Sequence, residues 1–329
     1  MTFKALLISR TDDAITSAVT ELDESQLPEG DVLVDVEYST INYKDGLVLQ
    51  GAGGLVKTYP HVPGVDFAGI VSESKSPDFK PGDRVVLTGW RVGEIHWGGL
   101  AEKARVKGDW LLALPDAVST RDAMAVGTAG LTAMLAVIEL ERQGLTPDKG
   151  PILVTGATGG VGTFATRILA DLGYDVHALS GKPEMADYLR GLGASEVIAR
   201  SEMAEPNKRP LEGAKWAGCV DAVGGTILAR ALAQMEYGGV VAAIGLAGGA
   251  ALNTTVVPFL LRGVKLIGID SVMCPADQRR AAWKRFAESG VISKVSSGVK
   301  EIGLEDAGDA GRQILRGEIS GRVVVKIGG

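Results

Sequence analysis

The sequence predicts an α/β protein in which a β-rich domain is joined to a doubly wound parallel sheet, and three observations lead there. The chain has 329 residues, beyond the usual reach of one hydrophobic core, so two domains are expected. Up to about residue 120, short β-branched segments are separated by turn signals. From residue 121, strand-like and helix-like segments alternate, the pattern of parallel strands joined by crossover helices.

In the first part DVLVDVEYST (31–40), DFAGIVSES (66–74), DRVVLTG (83–89) and LAEKARV (100–106) read as strands. Pro28-Glu29-Gly30 and Lys80-Pro81-Gly82-Asp83 mark turns between them. Short strands at this spacing predict a small barrel or partly closed sheet. Helical patterning begins at Arg121 and runs through AGLTAMLAVIELERQ, apolar on nearly all sides and so expected to be buried. Six apolar strand candidates follow: PILVTG (151–156), DVHALS (175–180), SEVIA (195–199), GCVDAVG (218–224), GGVVAAIG (238–245) and VKLIGI (264–269). The segments 161–173, 182–193 and 226–235 between them read as helices. From about 272 the elements are mixed, ending in the strand-like GRVVVKI (321–327), and this tail is expected to pack onto the first domain. The predicted division is 1–122 with 272–329 for the β-rich domain and 123–271 for the parallel-sheet domain.

Composition narrows the function. Hydrophobic residues make up 46% and charged residues 22%, ordinary for a globular chain, while glycine (45 residues) is about twice its usual share. The net charge of −6, with no basic arm, argues against a nucleic-acid partner but leaves room for an anionic small ligand. Cys219 and Cys274 lie far apart and form neither a disulfide framework nor a zinc knuckle. The opening MTFKALLISRTDD has only a short apolar run, which reads as neither signal peptide nor membrane span. No other run reads as long enough to cross a bilayer. A cytoplasmic protein without a membrane partner is the expectation.

The strongest motif is ILVTGATGGVGTFATRILADLGYDVHALSGK (152–182). Gly156, Gly159 and Gly162 punctuate a strand-to-helix turn, with Thr158, Gly160 and Val161 inside it. Glycines there let the backbone turn sharply, approach a pyrophosphate and pack the helix against the strand. The helix start then aims free N–H groups at phosphate. Where an NAD site usually carries an acid at the end of the second strand, this chain has Ser180-Gly181-Lys182. A hydroxyl and a cation suit a 2′-phosphate that a carboxylate would repel, and Arg200 after the third strand is a second cation. NADPH is the expected cofactor; the alternative is that Lys182 and Arg200 are solvated surface charges.

INYKDGL (41–47), PHVPGVDFAGIV (60–71), PGDRV (81–85), HWGGLAEKARVKGDWL (96–111), VGTAGLTAML (126–135) and TGATGGVG (155–162) occur in this chain in that order. In these motifs it resembles the quinone-oxidoreductase branch of the medium-chain dehydrogenases/reductases over nearly its whole length. WAGCVDAVGG (216–225), LAQMEYGGVVAAIGLAGG (232–249) and VVPFLLRGVKLIGIDSVM (256–273) are more similar to the acrylyl-CoA reductase subgroup. The resemblance implies a GroES-like catalytic domain, a Rossmann domain and an active site in the cleft between. It also implies NADPH-dependent reduction of acryloyl-CoA to propionyl-CoA, hence an acyl-CoA substrate, and a homodimer. Carried over residue by residue, it implies Tyr43 beside the nicotinamide, Thr158 to Val161 on the pyrophosphate, and Ser180, Gly181, Lys182 and Arg200 around the 2′-phosphate. Leu246, Ile269 and Ser271 would line the nicotinamide side, with Arg322 touching the cofactor from the tail.

Zinc relatives of this superfamily carry Gly-His-Glu where this chain has Gly64-Val65-Asp66. Three scattered histidines and no cysteine in the first domain leave no zinc ligand set, so no metal is expected, and Asp66 reads as a turn or packing residue. Without a Lewis acid, conjugate reduction is easier to support than carbonyl reduction: hydride reaches the β-carbon and charge appears on the thioester oxygen. Tyr43 is a candidate donor or a packing tyrosine, and Asn42 orients substrate or fixes a turn. In the glycine-punctuated loop 90–99, Arg91 is a candidate for a CoA phosphate and His96 for the substrate, each with a structural alternative. Arg279, Arg280 and Lys284 form either a basic patch or a solvated helix face. Other functions stay open: a quinone or enone reductase, or a non-catalytic NADPH-binding protein.

Overall fold

The computed structural model describes every residue except 13, 207, 208, 297 and 329. The chain forms two compact units, residues 1–128 with 271–329, and residues 129–270.

The first unit is built around the strand Val32–Thr40, which pairs antiparallel with Asp66–Ser74, with Lys103–Val106 and with the tail strand Val323–Lys326. Asp66–Ser74 passes the sheet on to Arg84–Thr88, which pairs with Leu112–Ala113. Lys300–Gly303 closes the other flank beside the tail strand, making seven strands with Lys103–Val106 off the main path. Phe67, Val71, Val85, Leu87 and Val106 fill one apolar cluster; Ile8, Ile41, Leu49, Leu100 and Val325 fill another. The hairpin Thr2–Thr11 with Ala14–Asp23 is absent from the sequence reading. Its second strand is mostly half-buried or exposed, so it carries little apolar signal.

The second unit holds six strands in the order Glu196–Ala199, Val176–Ser180, Ile152–Thr155, Trp216–Asp221, Met235–Ala243, Lys265–Gly268, all parallel. Taken by chain position the order is 3-2-1-4-5-6, the doubly wound arrangement expected. Ile152–Thr155 and Trp216–Asp221 are buried throughout, as strands covered on both faces must be. The order reverses beside Ile152–Thr155, and ligands of such sheets bind outside the carboxyl ends of the strands at that point. The expected helix 182–193 is a single 3-10 turn, Pro183–Met185, followed by the short helix Ala186–Gly191. Pro183 lacks an N–H, and glycines at 191 and 193 favour early termination.

The helix Thr120–Arg142 is long and apolar enough to cross a membrane, with mean hydropathy 1.7 in its most apolar stretch, which corrects the expectation that no run is. That stretch is mostly buried inside the protein, and the helix is interrupted at Gly127, so it is a core helix.

Candidate active site

The strand Ile152–Thr155 ends at Gly156, whose φ of 60° turns the chain into the helix Gly160–Asp171. Gly159 N donates to Gly156 O at 2.9 Å, closing the turn. A Cβ on Gly162 would sit 2.4 Å from Gly156 O, so only glycine lets the helix approach the strand this closely. Among the described residues no side chain caps this helix, an arrangement that leaves room for an anion at its first-turn N–H groups. Thr158 and Ser180, both buried, place their hydroxyls 3.3 Å apart, tying the turn to the end of the second strand.

Strand pairing brings together the residues at the end of the second strand. Parallel register sets Ala199 opposite Ser180, so the next residue, Arg200, arrives beside Gly181. Its guanidinium carbon would lie 3.2 Å from a Cβ on Gly181, the room that the missing side chain leaves. Ser180 Oγ accepts the N–H of Lys182 at 3.0 Å. Arg200 is exposed and pairs with no carboxylate among the described residues. Asp175, at the far end of the strand, accepts instead from the Ser195 hydroxyl. A hydroxyl and two cations thus occupy the place of an acid, an arrangement that fits NADP(H). Leu246 is exposed, and Ile269, half-buried, donates its N–H to Ala243 O at 3.0 Å just past the last strand. Ser271 is buried, its carbonyl accepting from Arg279 at 2.8 Å.

In the first unit, Tyr43 opens the helix Tyr43–Leu49 and is 41% exposed, its hydroxyl without a hydrogen bond among the described residues. Asn42 is corrected from substrate contact to scaffold: it is buried, its Nδ2 donates to Asp66 Oδ2 at 2.8 Å, and its Oδ1 accepts from Arg322 Nη1 at 3.0 Å. Arg322 is likewise directed inward. It donates to Thr40 Oγ1 at 2.8 Å and to Ala125 O at 3.0 Å, which takes its guanidinium away from the cofactor contact expected of it. Burial lowers its pKa, an effect opposed by Asp66 and Asp45. Asp45 accepts the N–H groups of Asn42 and Val65 at 2.8 and 2.9 Å; burial still pushes its carboxyl up to about 7. Asp66 is the hub of this cluster, with Thr128 N donating at 2.7 Å and the Thr128 hydroxyl bonding its other oxygen. Sequence reasoning placed Asp66 as packing, although a lone acid inside the apolar run PGVDFAGIV marked it out, and missed Asp45.

The loop 90–99 is held from inside. Trp90 and Arg91 both have positive φ, and Glu94, buried, receives Lys44 at 2.8 Å and Arg91 at 3.4 Å. His96 is corrected from substrate contact: its Nε2 bonds Arg105 O at 2.8 Å and its ring stands edge-on to Trp110, while burial lowers its pKa. Arg91 remains exposed. Arg279, expected on a solvated or basic face, is 1% exposed. It donates to the carbonyls of Ser271, Val272 and Cys274 and to Thr88 Oγ1, and lies 4.8 Å over the Trp90 ring.

The residues present do not suit a zinc ion. Val65 stands at the imidazole position, Asp66 has both oxygens engaged, and Cys219 and Cys274 are separately buried. Among the described residues no three His, Cys, Asp or Glu side chains come together as a metal site.

A doubly wound sheet with a glycine-rich strand-to-helix turn, in one chain with a β-rich unit carrying an exposed tyrosine, points to a nicotinamide-dependent oxidoreductase class. Residues 28–116 match the alcohol dehydrogenase GroES-like domain, and residues 160–288 match the zinc-binding dehydrogenase domain. The chain belongs to the medium-chain dehydrogenase/reductase family, in its quinone-oxidoreductase branch. It is 58% identical to an acrylyl-CoA reductase, AcuI, of Ruegeria pomeroyi over 99% of both chains. It is 52% identical to a probable acrylyl-CoA reductase of Escherichia coli over 98% of this chain and 99% of the relative. Among solved structures, the yhdH oxidoreductase of Salmonella enterica in complex with NADP matches with a TM-score of 0.95 at 50% identity, covering 100% of both chains. The yhfP protein of Bacillus subtilis with NAD bound matches at 0.94 and 46%, covering 99% of this chain and 100% of that one.

Proposed function

We propose that the chain catalyses the NADPH-dependent reduction of the C=C bond of a short 2-enoyl-CoA, with acryloyl-CoA as preferred acceptor and propionyl-CoA as product. The observation that carries this reading is the full-length likeness to the Ruegeria acrylyl-CoA reductase. The acid-free pocket of Ser180, Gly181, Lys182 and Arg200 supports the choice of cofactor. NADPH, when bound, supplies the hydride that saturates the β-carbon of the enoyl thioester. Gly156, Thr158, Gly159, Gly160, Val161 and Gly162 hold the pyrophosphate, and Ser180, Gly181, Lys182 and Arg200 hold the 2′-phosphate. Leu246, Ile269 and Ser271 line the nicotinamide side. Tyr43 offers an unengaged O–H at the reacting end, where it supports developing negative charge on the thioester oxygen or delivers the α-proton. Arg91, exposed and only loosely paired with Glu94, offers its guanidinium to a CoA phosphate.

The same reading includes a cytoplasmic homodimer. Among the described residues Lys265–Gly268 is the outermost strand of the parallel sheet, and Val256, Leu260 and Leu261, shortly before it in the chain, are 65%, 75% and 65% exposed. An unpaired strand edge next to an apolar patch is suited to a second copy of the same strand.

A second reading, a quinone or enone reductase, is favoured by 46% identity to a putative quinone oxidoreductase of Bacillus subtilis over 99% of both chains. NADPH oxidation measured with acryloyl-CoA, crotonyl-CoA and naphthoquinone separates the two. The expected order of kcat/KM puts acryloyl-CoA first; equal or faster turnover of naphthoquinone overturns the substrate assignment.

A further inference from the structure

We propose that Asp66 is a positioning residue for the reduction, acting through Asn42 to set the helix start that carries Tyr43. The proposal rests on Tyr43 being the polar group at the reacting end. Asn42 sits between two opposite demands. Its Nδ2 donates to the Asp66 carboxylate at 2.8 Å, and its Oδ1 accepts from the Arg322 guanidinium at 3.0 Å. Flipping the amide would set oxygen against carboxylate and NH₂ against guanidinium, so Asn42 has one orientation, and Tyr43 is its covalent neighbour. Asp45 adds a third anchor, bonding the N–H groups of Asn42 and of Val65, the residue before Asp66. The helix start is therefore fastened to the segment 65–66 at both side chain and backbone.

The same carboxylate seats the break in the helix Thr120–Arg142. Before the break, the Ala125 carbonyl accepts from Arg322; after it, Thr128 N donates to Asp66. A cation at a helix carboxyl end and an anion at a helix amino end both match the local dipole. Gly127, with φ 49° and ψ −159°, admits them: a Cβ there would lie 2.6 Å from Arg322 Nη2 and 2.8 Å from Asp66 Oδ2. One buried acid thus sets both the Tyr43 helix and the stretch at which the chain leaves the first unit, after Thr128.

Asp66→Asn isolates the charge. With its Nδ2 turned to the Thr128 hydroxyl oxygen, the new amide keeps its carbonyl on Asn42 and Thr128 N, while Arg322 loses the carboxylate acting most strongly on it. The test is a double-mutant cycle of Asp66→Asn with Tyr43→Phe, reading kcat and KM for acryloyl-CoA and NADPH in the full chain. The expected result is a kcat lowered about tenfold in Asp66→Asn, because a neutral amide oxygen holds Asn42 Nδ2 and Thr128 N less firmly than the carboxylate does. KM for NADPH should stay within about twofold, and the double variant should be no slower than Tyr43→Phe alone, because residues acting as one unit do not add. Multiplying effects, or wild-type kcat in Asp66→Asn, overturns the proposal. If Asp66→Asn does not fold, Thr128→Val, which removes one bond to the same carboxylate, enters the cycle with the same criteria. If the wild type oxidises NADPH with naphthoquinone and not with acryloyl-CoA, the substrate reading fails alone, and the cycle is read with naphthoquinone. Wild-type kcat in Tyr43→Phe overturns the role of Tyr43 and this proposal with it.

Discussion

Arg200 owes its position to strand register and not to its neighbours in sequence: the parallel pair Ala199 and Ser180 delivers it to the side of Gly181. Ser180 and Lys182 were legible because they sit where a known fingerprint puts an acid, and Arg200 was named as a second cation from its place after the third strand; its position beside Gly181 needed the register. Arg200→Ala should weaken NADPH binding about tenfold or more, from the loss of charge-assisted contact with the phosphate. NADH binding should change by less than about twofold, read by fluorescence titration of both nucleotides. Equal losses for both would remove Arg200 from the 2′-phosphate site. The buried cluster was less legible for the same reason. Asn42 and Arg322 lie 280 positions apart, and neither residue type by itself announces a partner. Arg279 is a sharper case, since helical spacing placed it on a solvated face. Four backbone and hydroxyl acceptors and the Trp90 ring satisfy the guanidinium internally.

At the scale of elements, the six parallel strands were readable as apolar runs between turn signals, while the amino-terminal hairpin, mostly half-exposed in its second strand, was not. The helix Thr120–Arg142 was readable as buried, but its break was not, because glycine in an apolar helix usually costs little enough to be tolerated. Here Gly127 is required by what enters the gap. Gly127→Ala should destabilise the chain by about 2 kcal/mol or more, from a disallowed backbone angle and collision with Arg322 and Asp66. Gly191→Ala, at the end of a helix with nothing near its Cβ, should be neutral or stabilising by up to about 1 kcal/mol. Chemical denaturation midpoints of the two variants test the contrast; similar midpoints would mean that the break at Gly127 is incidental.

For the whole molecule, the assignment of each unit to its fold follows from two periodicities, whereas assembly depends on surface that remains open after folding. The edge strand Lys265–Gly268 and the exposed Leu260 and Leu261 are such a surface. Replacing Leu260 and Leu261 together with Glu should convert the proposed dimer to a monomer of 34.2 kDa, measured by light scattering, with little loss of thermal stability in the separated chain. A wild-type protein that already runs as a monomer sinks the dimer assignment.

The sequence by itself determined the doubly wound sheet, its glycine-rich strand-to-helix turn and the absence of an acid at the end of the second strand. These are local features, written in residues a few positions apart and governed by backbone sterics and helix-end polarity. Only the tertiary structure decided that Arg200 stands beside Gly181, that Asn42 and Arg322 face inward, and that Asp66 is a hub rather than filler. A buried charge must find its partners wherever the fold brings them, and that pairing is a property of three-dimensional proximity which no one-dimensional pattern records.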